Sequence, residues 1–189
     1  MTETRSSLLR RVRDFRDGSS WEEFDRLYRP MLRRYALTRG LPFEDADEVA
    51  QECMTAVVSA IGGFQRQISF RGWLRAMVNN QINLRLRKRH GERNATSGEL
   101  ADAATAEPNP VLVWERHWNQ AHLMYCLELI RDEVAPLTFE AFDRYVIREE
   151  PVESICAQLK LTPNQVYVAK HRVLSRIKER WAELTDGVL

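Results

Sequence analysis

Helical periodicity closes off most folds for this chain, and it is clearest between Leu159 and Trp181. Thr162 stands as an N-cap, Pro163 as the first helical residue, and Gln165 as the partner that completes a capping box. Beyond it, Val166, Ala169, Val173, Ile177 and Trp181 recur at spacings of three and four, a single apolar stripe. The opposite face carries Tyr167, Lys170, His171, Arg172, Ser175, Arg176 and Lys178. Between positions 160 and 180 six Lys or Arg stand against one acid. A short amphipathic segment, Val152 to Leu159, lies just upstream. Two helices joined by a tight turn, the second basic and capped, form a helix-turn-helix. The plainer alternative is a surface helix with a solvated charged face. One-sided charge and the preceding short helix favour a surface that meets nucleic acid.

The same period runs through the rest of the chain. Residues 4–16 read as a short helix with Leu8, Leu9, Val12 and Phe15 on one side and Arg10, Arg11, Arg13 and Arg16 on the other. Ser20 and Glu23 form a capping box that opens a second helix through Trp21, Phe24, Leu27, Tyr28, Met31, Leu32 and Tyr35, closed by Gly40. A third helix, 44–61, has Ala46, Val49, Ala50, Cys53, Met54, Val57, Val58 and Ile61 as its apolar positions until Gly62 and Gly63 break it. After a loop at 64–69, a long helix over 70–89 ends in a basic run. Residues 90–109 are small and polar and lack the apolar surface to fold alone, so they read as a flexible linker. Asn109 and Pro110 then open a helix to about 134, Pro136 separates it from one at 138–148, and the helix-turn-helix follows. No segment alternates with a strand period. The expectation is an all-α protein: a bundle at 5–89, a linker at 90–109, and a second small bundle at 110–185.

Composition narrows the chemistry. The chain of 189 residues has a net charge of +1, which says nothing by itself about nucleic acid. Its distribution says more: residues 1–92 hold 17 Lys/Arg and 12 acids, residues 93–189 hold 11 and 15. The basic charge concentrates near 75–89 and 160–180, and a basic stripe matters more than the total. No run of 18 apolar residues marks a membrane span, and the N-terminus has no secretory pattern, so no membrane insertion and a cytoplasmic protein are expected. Cys53, Cys126 and Cys156 are odd in number and widely spaced, as reduced buried thiols would be. His122 and Cys126 sit four apart but lack a second ligand pair, so no metal and no cofactor are expected. There is no nucleophile–base set, which argues against an enzyme.

Three clusters carry function. Arg75, Arg85, Arg87, Lys88 and Arg89 make a basic helix end without an acid, beside the amides of Asn79, Asn80, Gln81 and Asn83. Phe64, Phe70 and Trp73 precede them, and aromatics beside a cationic helix suit single-stranded DNA, whose bases stack while cations hold phosphates. Plain core packing is the alternative for Phe70 and Trp73. Glu44, Asp45, Asp47, Glu48, Gln51 and Glu52 form an acidic patch expected to face away from the basic end. Acids near a helix N-terminus explain the first of them but not Glu52, and such a patch suits a basic protein partner better than DNA.

The run from Asp45 to Glu52, then Phe64, then Phe70, Arg71, Gly72, Trp73 and Leu74, and Asn80, resembles region 2 of bacterial sigma factors of the extracytoplasmic-function group. Pro151 to Arg180 is similar to their region 4. The resemblance implies that Asp45, Glu48, Gln51 and Glu52 dock on the β′ clamp helices of core RNA polymerase. It implies that Phe64, Arg71, Trp73, Asn80, Asn83, Arg85, Arg87, Lys88 and Arg89 capture the −10 element. The helix from Pro163 would read the −35 element of promoter DNA through Gln165, Tyr167, Val168, Lys170, His171, Arg172, Arg176 and Lys178, with region 4 near the β flap. Gln165 suits adenine, Arg172 guanine or a phosphate, and Val168 a thymine methyl. Lys170, Arg176 and Lys178 are assigned to phosphates. An anti-sigma factor is a further partner the resemblance admits. The chain departs from the family at Leu84, where Asp or Asn is usual. It departs again at Lys160, which replaces the turn Gly and would be strained by roughly 1 kcal/mol if its φ were positive.

An alternative sigma factor is the reading that covers most of these features. A stand-alone helix-turn-helix regulator explains the C-terminal helix but not the acidic patch beside a basic, aromatic face. A helical regulator that binds only protein leaves the one-sided basic charge unexplained.

Overall fold

The computed structural model of the chain describes residues 8–64, 69–96 and 109–185, and every regular element among them is helical. They divide into two compact units, one through Ala121 and one from His122 to Leu184.

The first unit opens with a single turn, α1 (Leu8–Arg11), that buries Leu8 and Leu9. The sequence reading carried this helix to 16, but the described chain leaves the helix at Arg11 and turns. The next helix, α2 (Gly18–Thr38), starts two residues before the Ser20 cap expected from sequence. Asp17 is its N-cap, accepting from the Ser20 backbone N–H at 3.0 Å and from the Ser20 and Ser19 hydroxyls. Those hydrogen bonds to Ser20 and Ser19 hold the Asp17 carboxyl down at a pKa of about 2. Gly40 follows α2 at φ +87°, a conformation that L side chains rarely adopt.

A third helix, α3 (Phe43–Ala60), buries Ala46, Val49, Ala50, Cys53, Met54 and Val57 of the apolar positions read from the sequence, while Val58 is exposed. Burial pushes the Cys53 thiol up to about 12, so it is an inert core residue. A 3-10 turn, Ile61–Gly63, ends α3 at the paired glycines. The next helix, α4 (Phe70–Thr96), runs seven residues past the expected end, so 90–96 of the expected linker is helical; residues 97–108 lie outside the described residues.

Trp114 and Trp118, on α5 (Pro110–Glu133), complete the first unit's aromatic core. Trp118 packs 5.5 Å from Tyr28 and 6.4 Å from Phe70, and Trp114 5.1 Å from Tyr35, as ring-centroid distances. Sequence periodicity places α5 wholly in the second bundle. By packing, Pro110–Ala121 belong with α2 and α4, because the buried indoles of Trp114 and Trp118 meet Tyr35, Tyr28 and Phe70 there. Asn109 caps α5, its Oδ1 accepting from Val111 N–H at 3.0 Å.

In the second unit the rest of α5 meets α6 (Pro136–Phe142), a π-helical turn at Asp143–Ile147, α7 (Val152–Leu159) and α8 (Pro163–Thr185). Its core is Cys126, Ile130, Phe142 and Val173, flanked by Leu127, Val134, Val146, Leu174, Ile177, Trp181 and Leu184. Val166, Ala169 and Val173 of the predicted stripe are buried. His122 is buried with its ring 6.0 Å from Trp181, and burial lifts the Cys126 thiol to about 11. No three His, Cys, Asp or Glu side chains gather as metal ligands among the described residues, and no described helix is long and apolar enough to cross a membrane.

Candidate functional site

The acidic row of α3 and the basic end of α4 meet. The expectation that the acids face away from the cations is corrected here: α3 and α4 lie antiparallel, so Glu52, Glu48 and Asp45 come level with Arg85 and then Arg89. Arg85 donates to Glu48, and to Glu52 at 2.5 Å, with Asp45 3.9 Å away. Arg89 donates to Asp45 at 2.8 Å. Arg85 is only 18% exposed while Glu48 is 63% exposed, so the carboxylates form the outer rim and the guanidinium the floor. The bond to Glu48 holds the Arg85 guanidinium firmly protonated, its pKa raised. Gln51 is exposed, and Asp47 pairs with Arg33 at 3.1 Å. The row therefore presents three partly neutralised carboxylates rather than a bare acidic patch.

The aromatic set lies at the other end of α4, where Trp73 precedes Arg85 by twelve residues, about 18 Å of helix. Phe70 is fully buried, which settles it as core. Phe64 and Trp73 are half-buried, their rings 5.1 Å apart and each within 5.8 Å of Phe70. Arg13 donates to the Phe64 carbonyl at 2.8 Å, which pins the backbone where the chain leaves the 3-10 turn. Phe64 is thus the half-buried edge of a stack whose base, Phe70, is core. Residues 65–68 lie outside the described residues.

The remaining candidates separate. Arg71 pairs with Glu115 and lies 5.5 Å over the Trp118 ring, its pKa lowered by burial and by Arg75 nearby. It is occupied inside the first unit. Asn80, Asn83, Arg87 and Lys88 are exposed, and Arg87 Nε donates to the Asn83 carbonyl. Asn79 is not a free amide: its Oδ1 accepts from the Tyr35 hydroxyl at 2.9 Å and from Arg39 at 3.0 Å.

On the second unit the capping box is complete. Gln165 N–H donates to Thr162 Oγ1 at 3.3 Å, and Thr162 N–H donates to Gln165 Oε1 at 2.8 Å. That bond uses the oxygen a bidentate pair with adenine would need, so Gln165 serves α8 as a cap before it serves as a reader. Tyr167 and Val168 are about half exposed, at 49% and 47%, and His171 and Arg172 are exposed beside them. Lys170 is half-buried with its Nζ 5.3 Å from the centroid of the Tyr145 ring. Arg176 pairs with Glu179 at 2.9 Å, and Lys178 is exposed farther along. Between α7 and α8 Lys160 adopts φ 55°, ψ 43°, the left-handed turn that the helix-turn-helix needs.

Sequence reasoning missed the Arg85–Glu48–Glu52 lattice, the Arg71–Glu115 pair and Tyr145. The first had a visible signal, since 45, 48 and 52 on one helix and 85 and 89 on the next are each one face of helical spacing with opposite charge. The second had none, because positions 71 and 115 are far apart in the chain.

No curated protein matches the chain. Residues 24–92 match the family model for sigma-70 region 2. That span runs from Phe24 on α2 to the basic end of α4 and takes in the acidic row, its arginines, Phe64 and Trp73. Over these helices the chain is therefore similar to sigma-70 region 2.

Proposed function

We propose that the chain is an alternative sigma factor of the extracytoplasmic-function group, which binds core RNA polymerase in the cytoplasm and directs it to promoters. The observation that carries this reading is the conjunction of a match to region 2 on α2–α4 with a capped helix-turn-helix on α7–α8. The exposed carboxylates of Glu48 and Glu52, with Gln51 beside them, would meet the β′ clamp helices. Phe64 and Trp73, with Asn80, Asn83, Arg87 and Lys88, would take the unstacked −10 strand. The N-terminal half of α8 would enter the major groove at −35, a groove about 12 Å wide that admits one helix. Region 4 would lie by the β flap, and an anti-sigma factor would compete for these surfaces. A stand-alone helix-turn-helix regulator accounts for α7 and α8 and leaves the helices similar to region 2 without a task.

Core binding tests the reading. Reversing Glu48 and Glu52 together to Lys is expected to weaken binding of the full chain to purified core polymerase by at least tenfold, with the helical content unchanged. Unaltered core affinity would refute the polymerase contact.

A further inference from the structure

Tyr145 sits in the π-helical turn Asp143–Ile147, and π-turns often mark functional positions. Its neighbour Arg144 is buried. Arg144 donates to Glu150 at 2.5 Å and to Gln158 on α7 at 2.7 Å, so the turn is tied down from within. Tyr145 is left half-buried against α8. There it touches two side chains assigned to DNA: its ring lies 5.7 Å from that of Tyr167, edge-on at 74°, and beneath the Lys170 ammonium at 5.3 Å. Edge-to-face rings and a cation over a ring face are both attractive geometries.

We infer that Tyr145 is a positioning residue for promoter reading: it fixes Tyr167 and Lys170 as a preset pair on the DNA-facing side of α8. The inference rests on the proposed reading of duplex DNA by α8. Unrestrained, Lys170 is a flexible four-carbon stem whose charge tracks any phosphate. Held over the Tyr145 ring, its ammonium has one direction, and the same ring packs edge-on against Tyr167. Ordering both side chains before binding lowers the entropy lost when DNA arrives. The device therefore acts on sequence preference as well as on affinity. Arg172 and His171, which do not touch Tyr145 in the contacts described, read independently of it.

The experiment uses holoenzyme reconstituted from the full chain and core polymerase, selecting from promoter duplexes randomised across the −35 element. The wild type is expected to select a defined sequence. Tyr145→Ala is expected to lose about three- to tenfold in affinity for that sequence and to flatten preference at one or two base pairs, with the others unchanged. Tyr145→Phe, which keeps ring and cation contact, is expected to restore the wild-type preference. In a Tyr167→Ala, Lys170→Ala background, Tyr145→Ala is expected to have no further effect on preference. An unchanged preference in Tyr145→Ala, or an equal loss for every sequence that persists in the double-alanine background, would overturn the inference. If the wild-type holoenzyme selects no −35 sequence at all, the reading of α8 fails with it, and that outcome is distinct from the first.

Discussion

Lys160→Gly isolates a single backbone conformation. Lys160 sits at φ 55°, ψ 43°, near the centre of the left-handed region, where a side chain with a Cβ is strained by roughly 1–2 kcal/mol. Its side chain is exposed, so removing it opens no cavity, and its backbone N–H bond to the Cys156 carbonyl survives any substitution but proline. Against the relief stands the greater freedom of Gly in the unfolded chain, about 0.4–1 kcal/mol. The balance favours Gly by about 0.5–1 kcal/mol. For a unit of roughly 60 residues that is a rise in melting temperature of about 2–8 °C. Lys160→Ala is expected to change little, because Ala meets the same left-handed strain. Differential scanning calorimetry of the full chain, with urea titration followed by circular dichroism, measures both. A fall in stability for Lys160→Gly, or an equal rise for Gly and Ala, would refute the strain account and point to the lysine charge instead.

Trp118→Ala removes an indole that is 1% exposed and in ring contact with Tyr28, Trp114 and Phe70, so a loss of about 3–5 kcal/mol is expected by urea titration, in the transition of the first unit. Phe64→Ala is expected to reduce affinity for single-stranded −10 DNA by roughly 1–3 kcal/mol with −35 duplex binding unchanged, as fluorescence anisotropy would show. Arg172→Ala or His171→Ala is expected to shift the preferred −35 sequence by roughly 1–3 kcal/mol at one position. Arg176→Ala is expected to weaken all sequences alike and lower the salt slope by about one unit.

Sequence periodicity made the helices legible because apolar residues at three- and four-residue spacing bury one face whatever lies opposite. Val166, Ala169 and Val173 on α8, and Ala46, Val49 and Val57 on α3, are buried as that rule requires. The positive φ at Lys160 was also visible, as the condition a tight turn sets on a non-glycine residue. Three things were not. The cap of α2 fell on Asp17 rather than Ser20, since two cap-forming residues three apart compete and the carboxylate accepts from more donors. The first half of α5 joined the first unit because Trp114 and Trp118 find Tyr28, Tyr35 and Phe70, and periodicity does not say which partner a stripe chooses. Charge rows read singly also misplaced the acids of α3, whose partners Arg85 and Arg89 lie on the next helix.

The central claim, that this chain directs core RNA polymerase to promoters, is met most directly by in vitro transcription. Purified chain and core polymerase would be incubated with a genomic promoter library and the start sites mapped. The account predicts transcripts that depend on the chain, begin downstream of one shared pair of −10 and −35 sequences, and disappear when Glu48 and Glu52 are both reversed. Transcription no greater than with core polymerase alone, while the chain binds duplex DNA by itself as a dimer on a palindrome, would contradict it.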